Sequence, residues 1–238
     1  DVVAYDPIVD DALFEALGAV PPAFAHHSLL TGPQGESLSK RLGTLSLRDL
    51  RAEGVEPMAL LSHMARIGSS QPVELFGSID ELADGFDLST FGSAPTKFDE
   101  RDLWPLTARV LHETPYEDMA EEIAALGVPE HLAPQFWEVA RRNITRRAEL
   151  ADWWALFRDG GEAVVDPDDR DFVAEAFAML PEPPYSEATW SIWTETVKEA
   201  TGRKGKALFM PLRKAVTGRE RGPEMADVMP LLQKKPSL

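Results

Sequence analysis

The chain has 238 residues, 40 acidic and 24 basic, for a formal net charge of −16, with 44% hydrophobic and 27% charged side chains. It has no cysteine, which excludes disulfides, thiolate metal sites, iron–sulfur clusters and cysteine nucleophiles. No stretch approaches the ~20 apolar residues of a membrane span, and no secretion signal opens the sequence, so a cytoplasmic protein is expected.

In chain order, the residues read mostly as helices punctuated by Pro and Gly. Asp10–Leu17 followed by Gly18 looks like the end of a helix with a glycine stop. FAHHSLL at 24–30 reads as a short strand ending in the turn TGPQG, and LSKRLGT at 38–44 as a loop. Ser46 is a candidate cap for a short helix, and Pro57 fits the first turn of the next, with Leu60, Leu61, Met64 and Ile67 inward. SIDELADGF, DERDLWPLTARVLHE and YEDMAEEIAALG supply three more helices. The longest is predicted over 134–159, on a stripe of Phe136, Ala140, Ile144, Ala148, Ala151 and Trp154. Residues 166–180 and a Ser186-capped segment follow, and the tail predicts helices beginning near Pro211 and Pro223. With almost no alternating strand pattern, the chain is predicted to be mainly α, with a domain boundary between 112 and 134.

Charge is uneven along the chain. Residues 1–100 carry 6 basic and 16 acidic side chains (−10), residues 101–197 carry 8 and 20 (−12), and residues 198–238 carry 10 and 4 (+6). The basic island holds Arg203, Lys204, Lys206, Arg213, Lys214, Arg219 and Arg221, and a second cluster is RRNITRR at 141–147. A polyanion bound here would be oriented by the acidic remainder and sensitive to salt. On one continuous helix Arg142 and Arg146 would share a face while Arg141 and Arg147 point elsewhere.

Few residues suggest chemistry on their own. In Ser39-Lys40-Arg41 the lysine could meet a phosphate and the serine donate a hydrogen bond, although such a triplet is more often plain surface loop. It is not a Walker loop. His26-His27 point to opposite sides of a strand, and His63 borders an apolar helix face, where a satisfied histidine is the ordinary role. Asp10-Asp11 and Asp168-Asp169 read as helix starts. Trp153-Trp154 and the Trp190/Trp193 stripe read as core, with base stacking as the rival role.

Three blocks in order carry a resemblance. HSLLTGPQGESLSKRLGTLSLRDLRAEGVEPMALLSHMARIG at 27–68, SAPTKFDERDL at 93–103 and TGRKGKALFMPLRKAVTGRERGPEMADVMPLL at 201–232 are similar to the C-terminal half of bacterial glutamyl-tRNA synthetases, class I enzymes. The resemblance implies a short α/β stub of the catalytic domain at 1–55, a helical stem-contact region at 56–130 and a helical anticodon-binding bundle at 131–238. It also implies that Ser37–Arg41 is the KLSKR-type loop, with Lys40 on the ATP phosphates and Ser39 and Arg41 shaping the loop. Ser37 stands where the family has a first lysine, and Ser62, His63 and Thr107 are smaller departures that would tune packing or stem contact.

Nothing here matches the HIGH motif, so the resemblance implies part of a synthetase about twice this length. ATP with Mg2+ and L-glutamate would then be bound through the other half, and the part itself would be inactive. Its expected partner is tRNA(Glu), touched by Arg141, Arg142, Arg146, Arg203, Lys204, Lys206 and Arg213, and a monomer is expected. Arg213 could equally hold the tail helices together by pairing with a carboxylate. A noncatalytic tRNA- or protein-binding module and a purely structural helical protein are the alternatives.

Overall fold

The computed structural model describes residues 7–20, 28–38 and 46–238. Ser39, Lys40, Arg41, His26 and His27 lie outside the described residues. Helix α1 spans Pro7–Ala16 and ends at Gly18, whose φ of 66° is left-handed. Strand β1 is Leu30–Thr31 and pairs in parallel with β2, Thr96–Lys97; of the strand predicted over 24–30, residues 24–27 lie outside the described residues. The pair is extended by Thr96 N–H donating to Leu29 O and Phe98 N–H to Thr31 O, at 2.9 and 2.8 Å.

Between the strands lie α2 (Leu47–Glu53), α3 (Pro57–Met64) and α4 (Ile79–Asp84). Ser46 closes a reciprocal capping box with Asp49 at the head of α2, and Ser78 caps α4 by accepting from Glu81 N–H. Pro57 occupies the first turn of α3, where its missing N–H costs nothing. Past β2, Asp99 caps a 3-10 turn, accepting from Arg101 N–H at 3.0 Å, and that turn leads into α5 (Leu103–Glu113).

Helices α6 (Ala120–Ala125), α7 (Ala133–Arg141), α8 (Glu149–Asp159), α9 (Arg170–Ala178), α10 (Thr189–Thr201), α11 (Lys206–Thr217) and α12 (Met225–Val228) complete the chain. Three predicted elements differ. The helix expected over 134–159 is two helices, because Asn143 Nδ2 donates to Val139 O and the Glu149 carboxylate accepts from the N–H groups of Thr145 and Arg146. Each bond closes one helix end. Ser186 does not cap α10 with its side chain; its N–H instead donates to Thr189 Oγ1 at 2.8 Å. Pro211 lies inside α11, not at its start.

Two cores result. The smaller gathers Leu50, Val55, Phe98 and Leu103, with Leu38, Leu60, Ile67 and Trp104 against it. The larger runs from Leu111 through Ile123, Phe136, Trp153 and Trp193 to Leu232, and it buries both Trp153 and Trp154. Each wholly buried aromatic there contributes about 2–3 kcal/mol by leaving water. Helix α5 enters both cores, through Leu103 at one end and Leu111 at the other.

The three smaller departures noted in the sequence, Ser62, His63 and Thr107, are buried and pack within the fold. Ser62 Oγ accepts from Phe76 N–H at 3.0 Å, and Thr107 Oγ1 accepts from Glu56 N–H at 3.3 Å. His63 is 3% exposed and stands edge-on to Phe98 at 5.5 Å. Contrary to the satisfied histidine expected there, neither ring nitrogen has a hydrogen-bond partner among the described residues.

Burial lowers the His63 pKa from its ordinary 6.5, with the Asp102 charge opposing. The unfolded chain therefore takes up the proton first, so this contribution is full above 6.5 and is lost as pH falls. Replacing His63 with Phe should flatten the fall in the urea midpoint on acidification. The same substitution should add about 1 kcal/mol at neutral pH by removing the unpaired polar group.

Candidate nucleic-acid interface

The basic island begins where α10 stops. Gly202 ends that helix at φ 73° and Gly205 precedes α11 at φ 56°, so a four-residue turn carries Arg203 and Lys204, the lysine exposed. Pro211 removes the N–H that would have reached the Ala207 carbonyl. Arg203 Nη1 supplies a replacement donor to Ala207 O at 3.3 Å. The same guanidinium pairs with Asp169 and lies 3.9 Å over the Phe172 ring. Arg203 is thus committed to holding α9 and α11 together.

Lys204, Lys206 and Arg213 make no ion pair among the described residues, and both lysines are exposed. Lys206, Phe209 and Arg213 follow at i, i+3 and i+7, one stripe on the outer face of α11, while Leu208, Leu212 and Ala215 face the core. Phe209 is 45% exposed, a large apolar ring between two free cations. The sequence reasoning did not single it out, although its spacing from Lys206 and Arg213 was visible.

Alongside, Arg219 stacks on Trp153 at 4.2 Å, and Gly222 packs close by, where a Cβ would stand 3.7 Å from both Arg213 Nη1 and the Trp153 ring. Lys214 is turned inward onto Asp166 at 2.8 Å, with Glu220 further off, so both carboxylates raise its pKa and keep it from the free face.

The RRNITRR cluster behaves differently. Because the helix breaks after Arg141, Arg142 and Arg146 do not share a helical face. Arg141 Nη1 donates to His112 O at 2.8 Å and its guanidinium pairs with Glu138 at 2.7 Å. Arg146 lies 3.8 Å over Trp104, and Arg147 pairs with Glu56 and Glu122. Arg142 alone is mostly free, at 71% exposure and 3.7 Å from Glu138. Of the seven arginines and lysines predicted to touch RNA, the structure thus leaves Lys204, Lys206 and Arg213 without an internal ion pair among the described residues and ties Arg141, Arg146 and Arg203 into the fold.

At the other end of the chain, the stem of the LSKR loop is anchored. Ser37 bridges Thr31, Gly32 N–H donates to Glu36 O at 2.8 Å, and Leu38 packs on the smaller core. Phe98 of the KFD segment fills that core, while Arg101 holds the Asp99 carboxyl down at about 2. Among the described residues no cluster of three His, Asp or Glu could hold a metal ion, and no helix is long and apolar enough to cross a membrane.

Two family models match in tandem. The model of the class I tRNA synthetase (E and Q) catalytic domain covers residues 9–105, and that of an anticodon binding domain covers residues 132–238. Over 226 residues the chain is 76% identical to glutamate--tRNA ligase 2 of Jannaschia sp. (strain CCS1), covering 95% of this chain and 50% of that relative. Glutamate--tRNA ligase 2 of Dinoroseobacter shibae is 73% identical, with 95% and 51% covered.

The chain matches the bacterial glutamate--tRNA ligases over nearly all its length. It spans about half the length of these relatives. Its fold is that of a crystal structure of a glutamate tRNA ligase from Elizabethkingia meningosepticum, at TM-score 0.73 and 22% identity, covering 93% of this chain and 51% of that one. The ligase resemblance, the mainly helical fold and the small parallel stub agree with the sequence reading.

The division of the basic residues has a direct consequence for stability. Arg203→Met should cost about 2 kcal/mol in a denaturant titration, losing a cation–π contact, an ion pair and a carbonyl donor. Lys204→Ala should change stability by less than about 0.5 kcal/mol.

Proposed function

We propose that this chain is the tRNA-binding C-terminal part of a glutamate–tRNA ligase, with the α11 face and its flanking turn meeting the anticodon arm of tRNA(Glu). The observation that carries the reading is the uncommitted Lys206–Phe209–Arg213 stripe, which lies inside the segment matched by the anticodon-binding model. Cations placed this way set position on phosphates, and an exposed ring between them offers an unpaired base a stacking surface. Lys204, on the turn before α11, would extend the phosphate track. Arg142 would be the one member of the 141–147 cluster free to join.

In this reading, residues 1–55 close the catalytic domain, residues 56–130 contact the tRNA stem and residues 131–238 hold the anticodon. Activation of L-glutamate uses ATP with Mg2+. Lys40 would stabilise its phosphates, with Ser39 donating a hydrogen bond and Arg41 shaping the loop, and the remaining pocket would come from the N-terminal half of the ligase. The protein acts in the cytoplasm, where translation takes place, as a monomer.

Filter binding with tRNA(Glu) tests the tRNA contact. Affinity should fall steeply with salt, and Lys206→Ala and Arg213→Ala should each flatten the log–log slope by about 0.7–0.9. Phe209→Ala should weaken binding by about 1–3 kcal/mol with the slope unchanged. Binding that ignores salt and all three substitutions would favour a structural protein.

The same preparation should give no ATP–pyrophosphate exchange. Robust exchange would show that the chain holds a complete activation site.

A further inference from the structure

We propose that Arg147, seconded by Arg146, is a positioning residue that sets the angle between the α2–α5 unit and the helical bundle. Three observations converge on it. First, the two apolar cores are separate, and the helix common to both is α5. A single helix fixes the distance between two bodies but leaves rotation about it weakly restrained.

Second, Arg147 sits on the connection between α7 and α8 and reaches across to the other unit. Its Nε and Nη2 fork onto the two carboxylate oxygens of Glu56, at 2.5 and 3.0 Å, while Nη1 donates at 3.0 Å to Glu122 of α6, which lies on the bundle side with Arg147 and aims the guanidinium across. The Glu56 side chain is 8% exposed, and its own N–H donates to Thr107 on α5, so the receiving end is held rigidly. A bidentate pair of this kind fixes direction as well as distance. Burial works against the guanidinium's charge, yet the two carboxylates still drive its pKa upward.

Third, the preceding residue repeats the reach by other means. Arg146 lies 3.8 Å over Trp104, in the first turn of α5, and its Cβ stands 3.8 Å from where a Cβ on Gly54 would be. Successive arginines thus grip an ion-pair socket and an aromatic face of the same unit. These contacts lie outside both apolar cores, and so they are the place at which orientation can be lost without unfolding either core.

The proposal rests on the tRNA reading for its purpose: one RNA touching both units is gripped well only if they stand at the right angle. Because the chain has no cysteine, Asp84→Cys on α4 and Glu199→Cys on α10, both exposed, can carry paired spin labels. Pulsed dipolar spectroscopy should give one narrow distance for the parent. Arg147→Met should roughly double its width, Glu122→Gln should broaden it less, and Arg147→Lys should restore part of the narrowing. Far-ultraviolet circular dichroism should be unchanged in all three. A distribution as narrow as the parent's in both Arg147→Met and Glu122→Gln would overturn the proposal.

The binding arm separates positioning from plain stability. Arg147→Met should weaken whole tRNA(Glu) about tenfold by lost avidity, while an isolated anticodon stem-loop, which meets only the bundle, binds as before. Equal losses for both RNAs, or none for either, would also overturn it. If the parent chain binds neither RNA, the tRNA reading fails and the distance widths alone decide the latch.

Discussion

Helix α5 is the constraint on which the rest of the architecture depends. Leu103 closes the smaller core at one end and Leu111 enters the larger core at the other, so one eleven-residue segment serves two hydrophobic interiors. Its start is fixed by Asp99, which caps the turn before it, and its middle by Thr107, whose hydroxyl receives the Glu56 N–H at the head of α3. A KFD segment is therefore a structural joint: Phe98 plugs the small core while Asp99 aims the helix that leaves it. Strain at this joint would reach both bodies at once.

Charge acts on the same frame at longer range. The body is acidic and the tail basic, yet much of the tail's charge is spent internally. Arg203 replaces a hydrogen bond that Pro211 removed, and Lys214 neutralises Asp166. What remains uncommitted is a narrow stripe. A strongly acidic protein repels polyanions in general, so a small unpaired cationic face accepts one only in a particular orientation. On the proposed reading, that combination favours selectivity over affinity.

Much of this was legible in the residues. Ser46, Ser78 and Pro57 announce helix starts and Gly202 a stop, since each satisfies or tolerates an orphan backbone group that few other residues could. The break between α7 and α8 was not read, because the apolar stripe runs through it unbroken. Ile144 is 1% exposed although it lies in neither helix. Periodicity reports burial, and both sides of the break face one core. Only Asn143, Thr145 and Glu149, all capable of capping, signalled the interruption. Pro211 misled for the opposite reason: proline usually opens a helix, and its tolerance here depends on an arginine four residues upstream of the orphaned carbonyl. Phe209 was overlooked because ALFMPL reads as one apolar run, while the helix turns that single ring outward.

The fate of the arginines shows why composition alone could not single out the proposed RNA-binding residues. Arg141, Arg146, Arg147 and Arg203 belong to the two basic clusters that invite a phosphate, yet each finds a carboxylate, a carbonyl or an aromatic ring within the fold. An arginine with a planar fork and a polarisable face satisfies such partners better than a lysine can. Structural demand thus takes these four arginines and leaves Lys204 and Lys206 outside, with Arg213 and, for the most part, Arg142 left free as well. A free arginine in a cluster whose other arginines are mostly engaged is a stronger sign of an external partner than the cluster itself, because the fold had reason to use it and did not.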